Sequence, residues 1–361
     1  MSTSRVVVLG AGVAGAATAF GLARRGVSVV VVDAGLEGRA TDAGAGIIQP
    51  WSVSREGAFY QLYADGAAFY PSFVSALTGH GAPDIGYRRV GSLILSADEA
   101  ELDAVEERLA ARAADAPAMG AVQRLRQGEA LARFPLLDPT HSAVWIEGGG
   151  RVDGRLLRAG LLAAVRKLDG MVVTDAATLE PTDDGFRVVV GVGEALVADA
   201  VVVACGAWSS SVLAPLGVSV PVEPQKGQIL HLRVDADTSS WPVVHRVSSS
   251  HYLLAFDGGR IVAGATREFG SGFDTRVTAF GVQELLRNAL VAAPGLSDAE
   301  IIETRVGLRP LPLSNSQEPV VRRLDVGGSV PLWVNAGFGA AGLTMGPLVG
   351  DRLAAEIVSA L

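Results

Sequence analysis

Cysteine is almost absent from the sequence, because Cys205 is the single thiol among 361 residues. One thiol cannot form an internal disulfide, and no Cys-x-x-Cys pair exists for zinc binding or redox exchange. The five histidines are scattered, and none stands at the spacing of a metal-binding pair. We therefore expect no metal site, and the lack of disulfides favours a cytoplasmic protein.

Basic clusters are lacking too. Lysine and arginine together number 30 against 38 aspartates and glutamates, a net charge of −8. No basic run with interleaved aromatic residues is present, so we expect no nucleic-acid partner. Apolar residues make up 49% and charged residues 19%, a composition typical of a packed globular protein with room for about two domains.

One long apolar run lies near the N-terminus, from Val6 to Ala23. Its length alone is compatible with a signal peptide or a membrane span. However, four glycines interrupt the run, Arg24-Arg25-Gly26 ends it, and no polar cleavage region follows. We therefore predict a soluble chain without a membrane span.

The same run contains a Gly-x-Gly-x-x-Gly motif, formed by Gly10, Gly12 and Gly15. Around it we predict a strand at Val6–Leu9, a helix at Ala16–Arg25 and a second strand at Val27–Val32. In this strand–helix–strand context the glycines permit a tight turn, a close approach to a diphosphate and close packing of the helix. The motif predicts dinucleotide binding at the start of the helix.

Asp33 ends the second predicted strand, 23 residues after Gly10. A carboxylate at this place accepts hydrogen bonds from a ribose diol and repels a 2′-phosphate. Asp33 therefore favours FAD or NAD over NADP.

A second motif of the same spacing, Gly337, Gly339 and Gly342, stands near the C-terminus. Only 19 residues follow Gly342, enough for one helix, which we expect to begin at Pro347, but not for a second strand with its acid. Both ends of the chain would then contact one extended cofactor such as FAD, with the second helix directed at the flavin. The alternative is that these glycines only permit close packing.

The rest of the chain has a mixed character. Aromatic residues from Trp51 to Tyr70 are compatible with a helix, Ser96–Glu99 resembles a capping box, and strands dominate between Val222 and Arg305. We predict an α/β fold in which residues 1–50, 145–215 and 306–361 form a Rossmann-like cofactor domain. Residues 51–144 and 216–305 would form an interleaved α+β substrate domain.

Five segments together resemble the D-amino-acid oxidase family of flavoproteins, which includes glycine oxidase, sarcosine oxidase and D-amino-acid dehydrogenases. The segments are VVVLGAGVAGAATAF with Asp33, TDAGAGIIQP, VVACGAWS, HYLLAFDGGRIVAGATRE, and VGLRP followed by VNAGFGAAGLTMGP. The resemblance implies a GR2-type FAD domain and a substrate domain on a bent antiparallel sheet. It also implies non-covalent FAD, since the TDAGAGI loop has no His or Cys to attach the flavin.

The resemblance further implies a set of cofactor contacts along the pyrophosphate, the adenine side and the flavin. The residues are Gly10, Ala11, Gly12, Val13, Ala14, Gly15, Asp33, Ala34, Thr41, Asp42, Ala45, Gly46, Ile47, Val173, Gly206, Trp208, Gly337, Phe338, Gly339, Ala340, Ala341, Gly342, Leu343 and Thr344.

Two residues are implied on the substrate side. Arg309 of the GLRP motif would grip a substrate carboxylate through two parallel hydrogen bonds, and Tyr252 would donate its hydroxyl to the same group. An arginine in a structural ion pair and a tyrosine packed in the core are the alternatives. His251 neighbours Tyr252 on a predicted strand and should face the opposite side.

The implied reaction is oxidation of the Cα–N bond of a small amino acid, a D-amino acid or a glycine-like one, by hydride transfer to flavin N5. The imine would hydrolyse to a keto acid and ammonia, with peroxide formed if oxygen is the acceptor. Ala255-Phe256, Phe338 and Ala340 depart from the residues of many relatives and leave the substrate open.

Several alternatives remain at this point. One is an oxidase of secondary amines such as sarcosine, and another is a D-amino-acid dehydrogenase that uses a quinone instead of oxygen. An NAD-dependent dehydrogenase and a non-catalytic FAD-binding subunit are two more. A homo-oligomer is compatible with the sequence.

Overall fold

The computed structural model describes residues 4–314 and 317–361. The strands are β1 (Arg5–Leu9), β2 (Ser28–Asp33), β3 (Ile47–Ile48), β4 (Arg88–Arg89), β5 (Ser92–Ser96), β6 (Val122–Leu125), β7 (Ser142–Ile146), β8 (Gly150–Arg151), β9 (Met171–Thr174), β10 (Ala177–Thr182), β11 (Gly185–Val190), β12 (Glu194–Leu196), β13 (Ala200–Val203), β14 (Val222–Arg233), β15 (Val243–Arg246), β16 (Tyr252–Ala255), β17 (Arg260–Gly264), β18 (Glu300–Pro312), β19 (Val320–Leu324) and β20 (Leu332–Ala336). The α-helices are α1 (Val13–Ala23), α2 (Gly57–Gly79), α3 (Glu99–Arg112), α4 (Gly154–Lys167), α5 (Ser209–Leu213), α6 (Ala279–Ala292) and α7 (Gly342–Ala360).

A six-stranded sheet in the order β19-β20-β13-β1-β2-β9 forms the first half of the molecule. All neighbours are parallel except the edge pair β19–β20. Alternate residues of β1 face opposite sides: Val6 and Val8 join the core under helices α1, α4 and α7. Val7 and Leu9 join the core under the three-stranded sheet β10-β11-β12. Both faces are covered, which explains why its strands are continuous apolar runs.

An eight-stranded sheet in the order β18-β14-β17-β16-β15-β5-β7-β6 forms the second half. Its neighbours are antiparallel except for β15 and β5, which run parallel. Helix α6 covers one face, where Leu285 packs in one core with Leu230 and Leu232 of β14. The predicted fold class, a Rossmann-like domain with a largely antiparallel partner sheet, is confirmed. The division of the chain into two domains stays a prediction.

Helix α3 begins at a different residue from the predicted capping box. Its N-cap is Asp98, whose side chain accepts the Ala100 N–H at 2.9 Å. Ser96 instead bonds one turn ahead of the helix, since its hydroxyl accepts the Asp98 N–H at 3.0 Å and donates to Glu101 at 2.6 Å. Aspartate and serine are both good N-cap residues. Asp98 has this role here because it directly precedes the first helical residue.

The predicted start of the last helix at Pro347 is wrong, because α7 begins at Gly342 and contains Pro347. A proline inside a helix leaves the carbonyl four residues earlier without its amide partner. That carbonyl belongs to Leu343, and the buried hydroxyl of Tyr70 on α2 donates a hydrogen bond to it. A contact from a distant helix therefore satisfies the group that Pro347 cannot.

No helix within residues 4–314 and 317–361 combines the length and apolarity that crossing a membrane requires.

Candidate active site and cofactor cavity

A cavity of about 960 Å³ runs from the carboxyl ends of β1 and β2 to the paired strands β14 and β18. Ligands of open α/β sheets bind at this edge of the strands. Twenty of the predicted site residues line it: Gly10, Gly12, Val13, Ala14, Asp33, Ala34, Thr41, Ala45, Gly46, Ile47, Gly206, Trp208, Tyr252, Arg309, Phe338, Gly339, Ala340, Ala341, Gly342 and Leu343. Residues from both ends of the chain thus meet at one cavity.

Six predicted cofactor residues lie outside the cavity lining: Ala11, Gly15, Asp42, Val173, Gly337 and Thr344. Two of them support the first glycine loop. The Ala11 N–H donates to Asp33 at 2.6 Å. Gly15 packs so closely that a Cβ on it would lie 2.0 Å from the Gly10 carbonyl oxygen.

The other four occupy supporting positions as well. Asp42 forms an ion pair with Arg39 at 2.5 Å, and Val173 is paired with Val32 between β9 and β2. The buried Thr344 hydroxyl donates to the Ile47 carbonyl at 3.0 Å. Gly337 begins the second glycine loop, directly after β20.

The first glycine loop delivers a helix N-terminus to the cavity. Gly10 has φ +96°, and a Cβ there would lie 2.5 Å from the Ala204 carbonyl oxygen, so glycine is required. Gly12 is the N-cap of α1 and provides no side-chain cap. The Val13 N–H binds the Thr41 hydroxyl at 2.9 Å. The remaining N–H groups of the first turn are available to an anion, which the helix dipole also favours.

Asp33 is held as an anion beside this loop. Burial raises its pKa, but the Ala11 N–H, the Arg39 guanidinium at 2.6 Å and the Gly35 N–H at 2.9 Å outweigh burial and hold the pKa below its usual range. Its second oxygen, Oδ2, accepts only the Ala11 bond among the described residues and keeps a lone pair for a ligand hydroxyl.

The second glycine loop presents another helix N-terminus to the same cavity. Helix α7 has Ala341 as its N-cap, again without a side-chain cap. It packs directly on α1, where a Cβ on Gly350 would lie 2.7 Å from the Thr18 nitrogen. The buried Asn335 amide on β20, the strand that precedes this loop, donates to the Thr18 hydroxyl of α1 at 3.0 Å. Two uncapped helix N-termini and an acceptor carboxylate therefore fit one extended anionic dinucleotide such as FAD.

Arg309 carries a positive charge on the cavity wall at the other end. Its Nη1 donates to the Thr266 carbonyl at 3.1 Å and to Gln225 at 3.3 Å. No carboxylate of the described residues lies within ion-pair distance of it. Burial lowers the pKa of Arg309, but an arginine remains charged at any working pH. An anionic ligand would supply the missing partner.

Tyr252 stands beside Arg309 with its ring over Gly264, where a Cβ would lie 2.4 Å from the hydroxyl. Burial raises the pKa of Tyr252 to about 12, so the hydroxyl stays protonated and can donate. His251 faces away from the cavity and binds Glu284 at 3.1 Å, as the alternation along a strand predicts.

Further residues at the cavity were not singled out in the sequence. Besides Arg39, which lies beside Asp33, four more arginines line it, Arg55, Arg108, Arg246 and Arg267, together with Tyr63 and His245. Arg267 stands within the GATRE segment, where alternation along an extended chain could have placed it on the same side as the site. The other five come from segments without a motif, and only the folded chain brings them together.

Comparisons with known proteins agree with this geometry. The family model DAO, FAD dependent oxidoreductase, matches residues 5–356. The crystal structure of iminodiacetate oxidase from Chelativorans sp. BNC1 superposes with a TM-score of 0.94 at 44% identity, covering 98% of this chain and 95% of that one. An uncharacterized oxidoreductase of Bacillus subtilis, YurR, is 44% identical over 96% of this chain and 93% of its own length. A glycine oxidase of Pseudomonas aeruginosa is 32% identical over 99% and 95% of the two chains.

These matches settle the class of the protein. The prediction of FAD over NAD is confirmed, as is the prediction of an enzyme that acts on C–N bonds of amines. The chain belongs to the DAO family of FAD dependent oxidoreductases.

Proposed function

We propose that this enzyme oxidises the Cα–N bond of a secondary amine that carries two carboxylates, such as iminodiacetate. One observation carries the proposal: Arg309 and Arg267 both line the cavity, and neither has a carboxylate partner among the described residues. The 44% identity with an iminodiacetate oxidase supports the same substrate class.

Arg309 and Tyr252 would bind the first carboxylate. The guanidinium can donate two parallel hydrogen bonds, because only Nη1 is used within the protein. The buried Tyr252 hydroxyl adds a third donor. Together these groups fix the carboxylate and so orient the adjacent Cα–H, which makes positioning a large part of catalysis.

Arg267 would bind the second carboxylate. The charge of Arg267 is close enough to Tyr252 and Arg309 to lower the pKa of both groups. In each case burial has the larger effect on the pKa. No protein hydrogen bond or ion pair within residues 4–314 and 317–361 occupies its guanidinium. A monocarboxylate amino acid bound at Arg309 would leave this charge without a partner.

The wall of the cavity is positively charged on the substrate side, although the whole chain has a net charge of −8. Five arginines line the cavity beyond the first glycine loop, whereas the only lining acid among the described residues is Asp33 at the other end. Such a distribution attracts anions to the cavity and favours an amine with two carboxylates, which has a net negative charge, over an amino acid with one carboxylate and no net charge. The five are Arg55, Arg108, Arg246, Arg267 and Arg309.

We propose that FAD is held by the residues of the two glycine loops, by Asp33 and by the segment from Thr41 to Ile47. Bound FAD supplies the two-electron acceptor for the amine. Hydride transfer from a neutral amine requires no protein base, so we expect the amine to react in its neutral form. The imine of iminodiacetate takes up one water and gives one glycine and one glyoxylate.

A second candidate is oxidation of a primary amine such as glycine. It is favoured by glycine oxidases at 30–32% identity and by the Arg309–Tyr252 pair, which one carboxylate can satisfy. Under this candidate Arg267 has no role in binding.

A panel of amines separates the two candidates. The FAD-loaded enzyme is assayed with iminodiacetate, sarcosine, glycine and D-alanine, by peroxide detection and in parallel with an artificial dye acceptor. We expect the highest kcat/KM for iminodiacetate, and the two assays together identify oxygen or a quinone-type acceptor. A higher kcat/KM for glycine than for iminodiacetate would support the second candidate.

A further inference from the structure

Residues 266–268 follow the edge of β14 as a short extended segment. The Thr266 N–H donates to the Gln228 carbonyl at 3.1 Å, and Glu268 and Lys226 exchange backbone bonds of 2.9 and 3.2 Å. Side chains of an extended segment alternate, so Thr266 and Glu268 face the protein while Arg267 faces the cavity. The position of Arg267 is therefore set by the residues on either side of it.

A buried polar network holds the inner side of this segment. The Glu268 Oε1 atom accepts hydrogen bonds from Gln228 and from the Thr266 hydroxyl, both at 2.7 Å. Its Oε2 atom lies 3.6 Å from the Lys226 ammonium. The ammonium also donates to Asp274 at 3.1 Å, farther along the same loop.

Lys226 is the central group of this network. Its side chain is 1% exposed, and an ammonium removed from water is tolerated only where anions surround it. Glu268 and Asp274 both come from the loop that follows β17, so the charge of Lys226 ties two points of this loop to β14. Arg267, next to Glu268, has no side-chain hydrogen bond or ion pair to the described residues that would hold it there.

We propose that Lys226 and Glu268 are positioning residues that hold Arg267 at the cavity and thereby set the preference for a dicarboxylate over a monocarboxylate amine. The inference rests on the proposed function, since it assigns the second carboxylate to Arg267. It adds that selectivity depends on an ion pair, between the buried Lys226 and the partly exposed Glu268, that does not line the cavity. Loss of the pair would let Arg267 move, while Arg309 keeps its bond to Gln225 of β14 and the Thr266 backbone stays bonded to the Gln228 carbonyl.

The network can lose its lysine without leaving a buried charge alone. In Lys226→Met, Glu268 keeps its bonds to Gln228 and Thr266, and Asp274 keeps its ion pair with Arg276 at 2.9 Å. The methionine fills a similar volume. Lys226→Arg retains the positive charge, so this variant tests whether the charge alone preserves the selectivity.

The experiment compares iminodiacetate with sarcosine, which replaces one carboxylate arm by a methyl group. Lys226→Met, Lys226→Arg and Glu268→Gln are assayed as FAD-loaded enzymes. Lys167→Met, at an exposed site on α4, is the matched control. We expect Lys226→Met and Glu268→Gln to raise the KM for iminodiacetate about tenfold or more, the size of effect that a displaced binding group produces. The KM for sarcosine and the kcat at saturation should change less than about twofold, and Lys226→Arg should restore most of the selectivity.

The results separate this inference from the function on which it rests. If Arg267→Gln raises the KM for iminodiacetate alone but neither Lys226→Met nor Glu268→Gln does, the positioning role is wrong and the dicarboxylate site stands. If Arg267→Gln affects both substrates equally or neither, the assignment of the second carboxylate fails, and the inference with it. Equal increases for both substrates in Lys226→Met and Glu268→Gln mean general disruption and overturn the inference. If Lys226→Met does not retain FAD, Glu268→Gln decides the outcome.

Discussion

The guanidinium of Arg309 lies in the space that Gly227 leaves open on the neighbouring strand. A Cβ on Gly227 would lie 2.4 Å from both terminal nitrogens of Arg309 and 2.5 Å from Cζ. The two residues belong to the paired strands β14 and β18, in which Gln225 stands opposite Arg309. The missing side chain at Gly227 therefore leaves the space in which the Arg309 guanidinium lies.

Gly227→Ala should displace Arg309 without unfolding the sheet. The added methyl group meets the far end of a flexible side chain, which can move, and Gly227 does not have the positive φ that disfavours alanine. We expect the substrate KM to rise about tenfold, as for the loss of one hydrogen bond, with FAD content unchanged. Steady-state kinetics check this, and Gly79→Ala, which would meet no atom within 4 Å, serves as control. A KM equal to that of the wild type would show that Arg309 does not bind substrate from this position.

Arg309→Ala removes the charge altogether. We expect the KM to rise about 100-fold, since loss of one partner of a buried charged pair costs about 3 kcal/mol. Bound FAD should remain, because no cofactor-binding residue hydrogen-bonds to Arg309 among the described residues. The flavin spectrum and the KM are measured on the same preparation. Unchanged kinetics would remove Arg309 from the site.

Asp33→Asn tests the cofactor end of the cavity. The amide cannot accept both the Ala11 N–H and the Arg39 guanidinium as the carboxylate does, and it loses the charge. We expect FAD affinity to fall about tenfold, the effect of one charge-assisted hydrogen bond. Affinity is measured by titration of the apoprotein, with Asp298→Asn at an exposed site as control. Acid precipitation should release all flavin into the supernatant, as non-covalent binding requires, whereas flavin in the pellet would contradict it.

His231 should make the protein less stable in mild acid. Burial lowers its pKa from 6.5 to about 4, with a further contribution from Arg305, so the native state keeps it neutral while the unfolded state binds a proton. Stability therefore falls as the pH drops from about 6.5 to about 4, by on the order of 2–3 kcal/mol in full. Neither ring nitrogen has a hydrogen-bond partner among the described residues, although Nδ1 lies 4.0 Å from the Glu303 carboxylate, so His231→Leu removes the titrating group without breaking a hydrogen bond. Urea midpoints at pH 5 and pH 7 should differ less in His231→Leu, and an unchanged difference would contradict the assignment.

The sequence predicts the cofactor half of the molecule well because its signals are local. Gly10, Gly12 and Gly15 lie between two buried strands, and the loop geometry there follows from residues that are neighbours in the chain. The second loop is also a local signal, because Gly337, Gly339 and Gly342 stand between a buried strand and a helix. Residues of both loops line one cavity.

The remaining features depend on contacts between distant segments. The sequence cannot show that Tyr70 satisfies the carbonyl freed by Pro347, and so the start of α7 was predicted too late. Likewise, the sequence cannot show that Arg267 lies close enough to Arg309 to lower its pKa. Residues 266–268 pair with β14, and β14 pairs with β18, which carries Arg309. The start of α7 and the position of Arg267 depend on tertiary contacts, which leave no periodic pattern in the chain.

The products formed from iminodiacetate test the central claim most directly. The FAD-loaded enzyme is incubated with iminodiacetate in air or with dye, and glycine, glyoxylate and reduced acceptor are quantified together. We predict one glycine and one glyoxylate for each two electrons transferred, with Arg309→Ala slower at low substrate concentration. No turnover of iminodiacetate under conditions in which glycine or D-alanine is oxidised would contradict a site built for two carboxylates.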